Sequence, residues 1–283
     1  MSEAIAKATK DLTQAGVVSP GVDAELLAGY LFSCSKSEII KLSLSGKELI
    51  GDEEKNYFEL VARRAKREPL QHITGIANFR NLELTVGPGV FVPRPETEVL
   101  VDYATELVAG IERPVIVDLC SGGGAIAISL ATEIVGSSVF AVEKSAEAFD
   151  YLNRNFASHD LSVDQIRLGD LAAELSDKRG FFDLVVSNPP YIPDEAVPIY
   201  EEVRLFDPSL ALYGGPDGLD VVRAISTRSL YLLKPSGFLV LEHAENQAAA
   251  IGELLLADGW LNIATRQDLT GRDRMTSAQK PSR

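Results

Sequence analysis

The sequence predicts an α/β protein, a doubly wound parallel sheet preceded by a small helical domain. Three observations carry this. From residue 113 onward short apolar runs alternate with helical periods, the pattern of repeated strand–helix–strand units. Residues 1–75 show helical spacing and no such runs. Between them, residues 76–92 switch to a period of two around a turn, the pattern of a β-hairpin. The expected domains are therefore 1–75, helical; 76–92, a hairpin linker; and 93–283, the sheet domain.

In chain order, the break Pro20-Gly21 precedes a helix over 22–32 with Leu26, Leu27, Tyr30 and Leu31 as its apolar stripe. Asp52 opens a second helix striped by Tyr57, Phe58, Leu60 and Val61, and Glu68-Pro69 marks its end. Phe79, Leu82, Leu84 and Val86 flank the hairpin turn at Arg80-Asn81. A helix starts near Pro95-Glu96, where Glu96 and Glu98 suit a positive helix end. Strands are expected at 114–119, 138–142, 165–168, 181–187 and 237–242; 114–119 is a continuous apolar run of the kind a buried parallel strand shows. Helices are expected at 125–133, 147–156 and 219–233. Trp260 reads as core at the start of a further strand.

Composition excludes several function classes. With 283 residues, 46% hydrophobic and 24% charged, the chain can bury a full core without staples. Its two cysteines, Cys34 and Cys120, form neither a disulfide framework nor a metal set, which suits a reducing cytoplasm. No apolar run is long enough to span a bilayer, and residues 1–15 carry Lys7, Lys10 and Asp11 without an apolar segment, so neither membrane association nor an export signal is expected. The net charge is −14. Residues 1–80 hold eleven charges of each sign, so the whole excess falls on 81–283. Such a surface repels a phosphate backbone, and no direct nucleic-acid partner is expected. The basic run Arg63-Arg64-Ala65-Lys66-Arg67 reads as a solvated helix face.

The first strand of the sheet runs into Cys120-Ser121-Gly122-Gly123-Gly124, where glycines let the backbone turn tightly and approach a ligand beneath the next helix. Gly122 and Gly124 with Ala127 also satisfy the loose dinucleotide fingerprint. The second strand ends at Glu143, twenty-five residues after Asp118, where a carboxylate can accept from two ribose hydroxyls. That geometry serves NAD and S-adenosylmethionine equally. The third strand ends at Gly169-Asp170-Leu171, where Asp170 can accept from an adenine amino group or cap a helix.

The fourth strand decides between them. It is followed by Asn188-Pro189-Pro190-Tyr191. The two prolines stiffen the chain and leave the Pro189 carbonyl available. With the Asn188 side-chain carbonyl and the face of Tyr191, it can clamp a planar –NH₂ group. An amide nitrogen is a poor nucleophile; two acceptors on its N–H bonds orient it and stabilise the positive charge that grows as it attacks. The matching electrophile is a sulfonium methyl. No nicotinamide reaction needs this arrangement.

Asn188-Pro189-Pro190-Tyr191 resembles the signature of amino-methylating methyltransferases, which by itself leaves protein, adenine-N6 and guanine-N2 substrates open. Three narrower segments, Glu68 to Gly75 (EPLQHITG), Phe91 to Glu98 (FVPRPETE) and Leu212 to Leu219 (LYGGPDGL), together resemble the HemK/PrmC family, the release factor glutamine methyltransferases. The resemblance covers essentially the whole chain, including the ending Asp268 to Arg274 (DLTGRDR). It implies a Rossmann-like, seven-stranded class I methyltransferase sheet that binds S-adenosylmethionine, releases S-adenosylhomocysteine and uses no metal. By it, Cys120, Ser121, Gly122, Gly123 and Gly124 hold the methionine end of the cofactor, Glu143 the ribose, and Asp170 and Leu171 the adenine, with Asn188 beside the cofactor. Asn188, Pro189, Pro190 and Tyr191 take the substrate glutamine, and Phe91, Pro93 and Arg94 line the entrance. The implied partner is a class 1 peptide chain release factor, gripped by the N-terminal helices and methylated on the glutamine of its Gly-Gly-Gln motif. The sequence departs from the family pattern at Cys120 and Ser121, where Gly-Thr is usual, at Glu143, where Asp is common, and at Leu171, often an aromatic.

His72, His159 and His243 are too scattered for a metal site, and His243 reads as structural. Cys120 sits where a helix N-terminus can lower a thiol pKa, but no base lies near it in sequence. No general base is assigned, since a phenol such as Tyr191 titrates near pH 10. Replacing Glu143 is expected to weaken cofactor binding and leave the stability of the fold alone.

Overall fold

The computed structural model describes residues 1–282. The chain opens with α1 (Ser2–Gln14), α2 (Pro20–Phe32), α3 (Lys36–Leu44), α4 (Asp52–Ala65) and α5 (Leu70–Thr74). A hairpin of β1 (Ile76–Phe79) and β2 (Leu82–Thr85) leads to α6 (Glu96–Val108), β3 (Val115–Leu119), α7 (Ala125–Glu133), β4 (Ser138–Glu143) and α8 (Ala146–Ser158). Then come β5 (Ile166–Leu168), β6 (Phe182–Ser187), α9 (Glu201–Phe206), α10 (Ser209–Leu212), α11 (Asp220–Leu232) and β7 (Leu233–Glu242), closed by α12 (Ala248–Ala257), β8 (Leu261–Gln267) and β9 (Asp273–Gln279). The chain forms two compact units: residues 1–76 with 198–206, and residues 77–197 with 207 onward. Of the stretch 76–92 expected as linker, residue 76 falls in the smaller unit and 77–92 in the larger, and a segment distant in sequence completes the smaller one.

The smaller unit is a helical cluster around Leu12, Leu27, Ile39, Tyr57 and Val61. The apolar stripe of α2 runs through Ala24, Leu27, Ala28 and Leu31, whereas Leu26 and Tyr30, expected on it, are exposed. Spacing of i, i+3, i+4 and i+7 fits the observed stripe, and small alanines let neighbouring helices come close. The buried Tyr57 hydroxyl donates to the Ala24 carbonyl at 2.9 Å. The basic run at the end of α4 is solvated, as expected, at Arg63 and Lys66, but not at Arg64 and Arg67. Arg64 is buried and donates to Asp23 at 2.7 Å and to Glu202 of α9 at 3.0 Å. Arg67 grips the same Glu202 carboxylate at 2.6 and 2.9 Å. Burial opposes the charge on Glu202, yet the two guanidiniums hold its carboxyl down to about 2. Acids supplied by α2 and α9 draw these two arginines into an internal ion-pair network.

The larger unit holds a seven-stranded sheet in the order β5-β4-β3-β6-β7-β9-β8. Strands β3 to β7 are parallel and β9 is antiparallel to both neighbours, so the sheet is mixed at one edge. The short connection from β8 to β9 can only join antiparallel strands. Alternate residues of each strand face opposite layers. Ile116, Leu184 and Val240 pack with α6, α7 and α8; Val117, Val185 and Leu239 pack with α11, α12 and Trp260. Such burial on both faces is why these strands read as continuous apolar runs.

Strand order reverses between β3 and β6, and ligands of such sheets bind in the crevice at that switch point. Leu119 pairs with Ser187, and Ser187 pairs with Leu241. The residues that follow β3, β6 and β7 therefore leave the sheet side by side.

Candidate functional site

The glycine loop leaves β3 through Cys120, which takes a left-handed φ of 63°. The Ser121 hydroxyl donates to the Asp118 carbonyl at 2.8 Å, and its amide donates to Val142 at 3.1 Å, tying the loop to β4. The Gly123 carbonyl accepts from the buried Asn155 amide at 2.9 Å; the same side chain binds both Thr85 backbone groups. Gly122, at φ 55°, has open space where a Cβ would stand, so the loop leaves room for a ligand there. Nothing near Asn155 in the chain marks this helix residue as a brace for a loop 32 positions away.

Three acids stand at successive strand ends. Asp118 is fully buried and neither carboxylate oxygen has a partner at ordinary hydrogen-bond geometry, although the Ser121 hydroxyl and the Ala127 amide lie near enough to favour its charge. Burial, with the nearby Glu143 carboxylate adding to it, pushes its pKa up to about 8. Glu143 is buried too, and its carboxylate accepts from the Gly122 amide at 2.8 Å and the Ser145 amide at 2.7 Å. It braces the loop, so the expectation that it carries no stability is corrected. Asp170 is exposed; it accepts from the Ala172 amide at 2.9 Å and pairs with Lys144 at 3.0 Å, which together lower its pKa. Leu171 is half-buried against the sheet core. Burial and the neighbouring carboxylates raise the Cys120 thiol far above its usual value, the opposite of an activated nucleophile.

Asn188, Pro189, Pro190 and Tyr191 follow β6, beside the glycine loop. The Asn188 amide donates to the Thr97 hydroxyl at 3.3 Å. The segment 212–219 is built around this turn: Ile192 and Tyr213 form a parallel bridge, and Gly214 donates to Ile192 at 2.9 Å. A Cβ on Gly214 would meet the Pro190 carbonyl at 2.6 Å, and one on Gly218 the Tyr191 carbonyl at 2.3 Å. Only glycine permits that approach. The Gln247 amide then donates to the Tyr191 carbonyl at 2.9 Å. Burial and the Glu242 carboxylate push the Tyr191 phenol up to about 12, so it is neutral at physiological pH.

The residues of the other motifs make the following contacts. Arg94 stacks over Phe91, 5.0 Å from the ring centroid, and pairs with buried Asp207 at 2.7 Å. Glu98 accepts from the Arg80 amide at 3.0 Å and fixes the hairpin turn. Asp268 gathers Thr270, Arg272 and Arg274. His243 is a structural residue: Nδ1 bonds the Ala244 carbonyl and Nε2 the Thr276 hydroxyl, each at 2.9 Å, and burial lowers its pKa. Among the described residues no group of three or more His, Cys, Asp or Glu could hold a metal ion, and no helix is long and apolar enough to cross a membrane.

Residues 3–75 match the family model described as the PrmC N-terminal domain, and residues 81–206 the methyltransferase small domain. The chain is 45% identical over 280 residues to the release factor glutamine methyltransferase of Streptomyces coelicolor, covering 98% of this chain and 96% of that one. It is 40% identical to the protein of the same name from Bifidobacterium longum, covering 97% of each. The ribosomal protein L11 methylase of Lactobacillus delbrueckii shares the fold, with a TM-score of 0.52 at 17% identity over 73% of this chain and 98% of that one. The chain belongs to the release factor glutamine methyltransferase family.

Proposed function

We propose that the chain transfers a methyl group from S-adenosylmethionine to the side-chain amide nitrogen of the glutamine in the Gly-Gly-Gln motif of class 1 peptide chain release factors. The carrying observation is the juxtaposition at the switch point. The glycine loop after β3 and Asn188 to Tyr191 after β6 leave paired strand ends, Leu119 and Ser187. A cofactor on one and an amide on the other meet there.

The residues at the strand ends fit the cofactor. S-adenosylmethionine carries a positive sulfonium, a positive amino group and two ribose hydroxyls. The site offers Asp118 with neither oxygen in an ordinary hydrogen bond, Glu143 with lone pairs beyond its two amide bonds, Asp170, and the open space at Gly122. In this reading Cys120 to Gly124 hold the methionine end, Glu143 the ribose, and Asp170 with Leu171 the adenine side. The cofactor supplies an electrophilic methyl. The protein does the rest: the Asn188 Oδ1 and the Pro189 carbonyl accept the two amide N–H bonds of glutamine, and Tyr191 covers the face of the amide. These dipoles orient the nitrogen lone pair and favour the positive charge that develops on it. The nitrogen–methyl bond forms as the sulfur–methyl bond breaks, and the extra proton leaves to water. Neither the Asn188 amide nor the neutral Tyr191 phenol is a base at neutral pH, so in this reading positioning carries the rate.

A glutamine side chain is too small to select one protein among many. Residues 1–75 are the docking module in this reading, because a stable protein interface needs about 1,600 Å². A cytoplasmic location follows from a substrate of the translation machinery. The test is steady-state methyl transfer to intact release factor, to a short Gly-Gly-Gln peptide, and to DNA and RNA oligonucleotides. Intact release factor is the good substrate and the peptide a poor one with raised KM. Methylation of an oligonucleotide in preference to the release factor would refute the reading.

A further inference from the structure

An asparagine side chain has two ends that differ in role but hardly in shape. The clamp reading needs its oxygen toward the substrate, yet nothing in Asn188-Pro189-Pro190-Tyr191 itself decides which end faces out. The surroundings of Asn188 do. Ser187 pairs with Leu241, so Asn188 emerges level with Glu242, the last residue of β7. Thr97, in the first turn of α6, completes the group. Thr97 and Glu242 are each 3% exposed.

The Asn188 Nδ2 donates to the Thr97 Oγ1 at 3.3 Å. A hydroxyl has one proton; having accepted from Asn188, it has that proton to give elsewhere. The Thr97 hydroxyl and the Asn188 amide both favour the ionised form of the Glu242 carboxylate, whose Oε2 is buried and has no hydrogen-bond partner. An ionised carboxylate only accepts. Facing it, Asn188 can present nothing but Nδ2.

We infer that Thr97 and Glu242 are positioning residues that lock the side-chain amide of Asn188 with its nitrogen inward and its oxygen toward the substrate glutamine. The inference rests on the clamp reading above and adds to it the reason the clamp has a fixed polarity. A reversed Asn188 would aim a donor at a donor, and the substrate amide would be repelled rather than held. The lock also depends on charge. Burial pushes the Glu242 pKa up to about 7. The groups facing it are Thr97 and Glu96 on α6, Arg274 on β9, and Asn188 and Tyr191 after β6; Arg274 favours the charge and Glu96 opposes it. Once protonated, Glu242 can donate, and the preference for Nδ2 is lost.

The test compares Thr97→Val, Thr97→Ser, Glu242→Gln and Asn188→Ala, alone and with Thr97→Val added to Asn188→Ala. The readouts are kcat on intact release factor, its pH profile, S-adenosylmethionine affinity by calorimetry, and thermal midpoint. Thr97→Val keeps the shape and removes the hydroxyl. It should lower kcat about tenfold, the size of one lost neutral hydrogen bond, with cofactor affinity unchanged. Thr97→Ser restores the hydroxyl and should retain wild-type kcat. Wild-type kcat should fall as pH drops through about 7, and Glu242→Gln should lose that acid limb. In the Asn188→Ala background, Thr97→Val should cost nothing more, because there is no amide left to orient. Additive losses in that background would overturn the lock, and so would Thr97→Ser falling with Thr97→Val. Wild-type kcat in Thr97→Val beside a crippled Asn188→Ala overturns the lock and leaves the clamp standing; wild-type kcat in Asn188→Ala overturns both.

Discussion

Replacing Glu143 by Ala separates two roles that one carboxylate holds at once. Its oxygens accept from the Gly122 and Ser145 amides at 2.8 and 2.7 Å, and the side chain is buried. A hydrogen bond to a charged acceptor contributes about 1.5–3 kcal/mol, and a buried amide left without a partner costs its desolvation. Two such bonds give a loss of about 3 kcal/mol even when water recovers part of it. For a chain of this size that lowers the thermal midpoint by roughly 6–12 °C. The cofactor-free protein should show this shift by circular dichroism. Calorimetry should in addition show S-adenosylmethionine binding weakened by roughly ten- to a hundredfold, from loss of the ribose acceptor and of the braced loop. Glu143→Gln keeps one acceptor and should fall between. An alanine variant that melts with the wild type would show that the carboxylate does not brace the loop. One that melts lower but binds the cofactor normally would leave the brace and remove the ribose contact.

Asn188→Ala should lower kcat about a hundredfold, or about 3 kcal/mol, with a smaller change in cofactor affinity; stopped assays on intact release factor measure it. Gly218→Ala places a methyl 2.3 Å from the Tyr191 carbonyl at a φ of 75°, so the turn must shift, and both melting temperature and kcat should drop. Asp118 has a raised pKa near 8, so the folded protein keeps a proton that the unfolded chain releases above about 4, and this group's stabilisation is lost as pH rises toward 8. Asp118→Asn should therefore melt with the wild type near pH 4 and above it at pH 9 in the absence of cofactor, as pH-resolved melting curves would record. Arg64→Met strips Asp23 and Glu202 of a buried partner and should cost about 3 kcal/mol at pH 7. Because Glu202 is held near 2, the wild type's advantage is full above about pH 4.5 and fades as pH falls through about 2.

The parts of this molecule that were legible in the sequence are those written in consecutive residues. A strand buried on both faces must be apolar throughout, so β3, β4 and β6 stand out, and the glycine loop and the Asn-Pro-Pro-Tyr turn follow them directly. What was illegible depends on residues that meet only after folding. Arg64 looked solvated because Glu202, which pairs with it, lies 138 positions away. Glu143 looks like a ligand group alone because its bond to the Gly122 amide, 21 positions away, appears only when β4 aligns with β3. Asn188 looks self-sufficient in the sequence because Thr97, which accepts from its amide, lies 91 positions away on α6. The stripe of α2 was misphased by one position, since Ala24 and Ala28 carry little hydrophobic signal yet face the core. Even the motif from Leu212 to Leu219 found its physical reason only in the carbonyls of Pro190 and Tyr191 that its glycines let approach.

The central claim is that Asn188 to Tyr191 presents a glutamine amide nitrogen to the methyl of S-adenosylmethionine. Incubating purified class 1 release factor with the enzyme and cofactor, then locating the added group by fragmentation mass spectrometry, tests it directly. The account predicts one methyl on the side-chain nitrogen of the Gly-Gly-Gln glutamine, formed by the wild type and nearly absent with Asn188→Ala. A methyl on any other residue, or an equal yield from the Asn188→Ala variant, would contradict it.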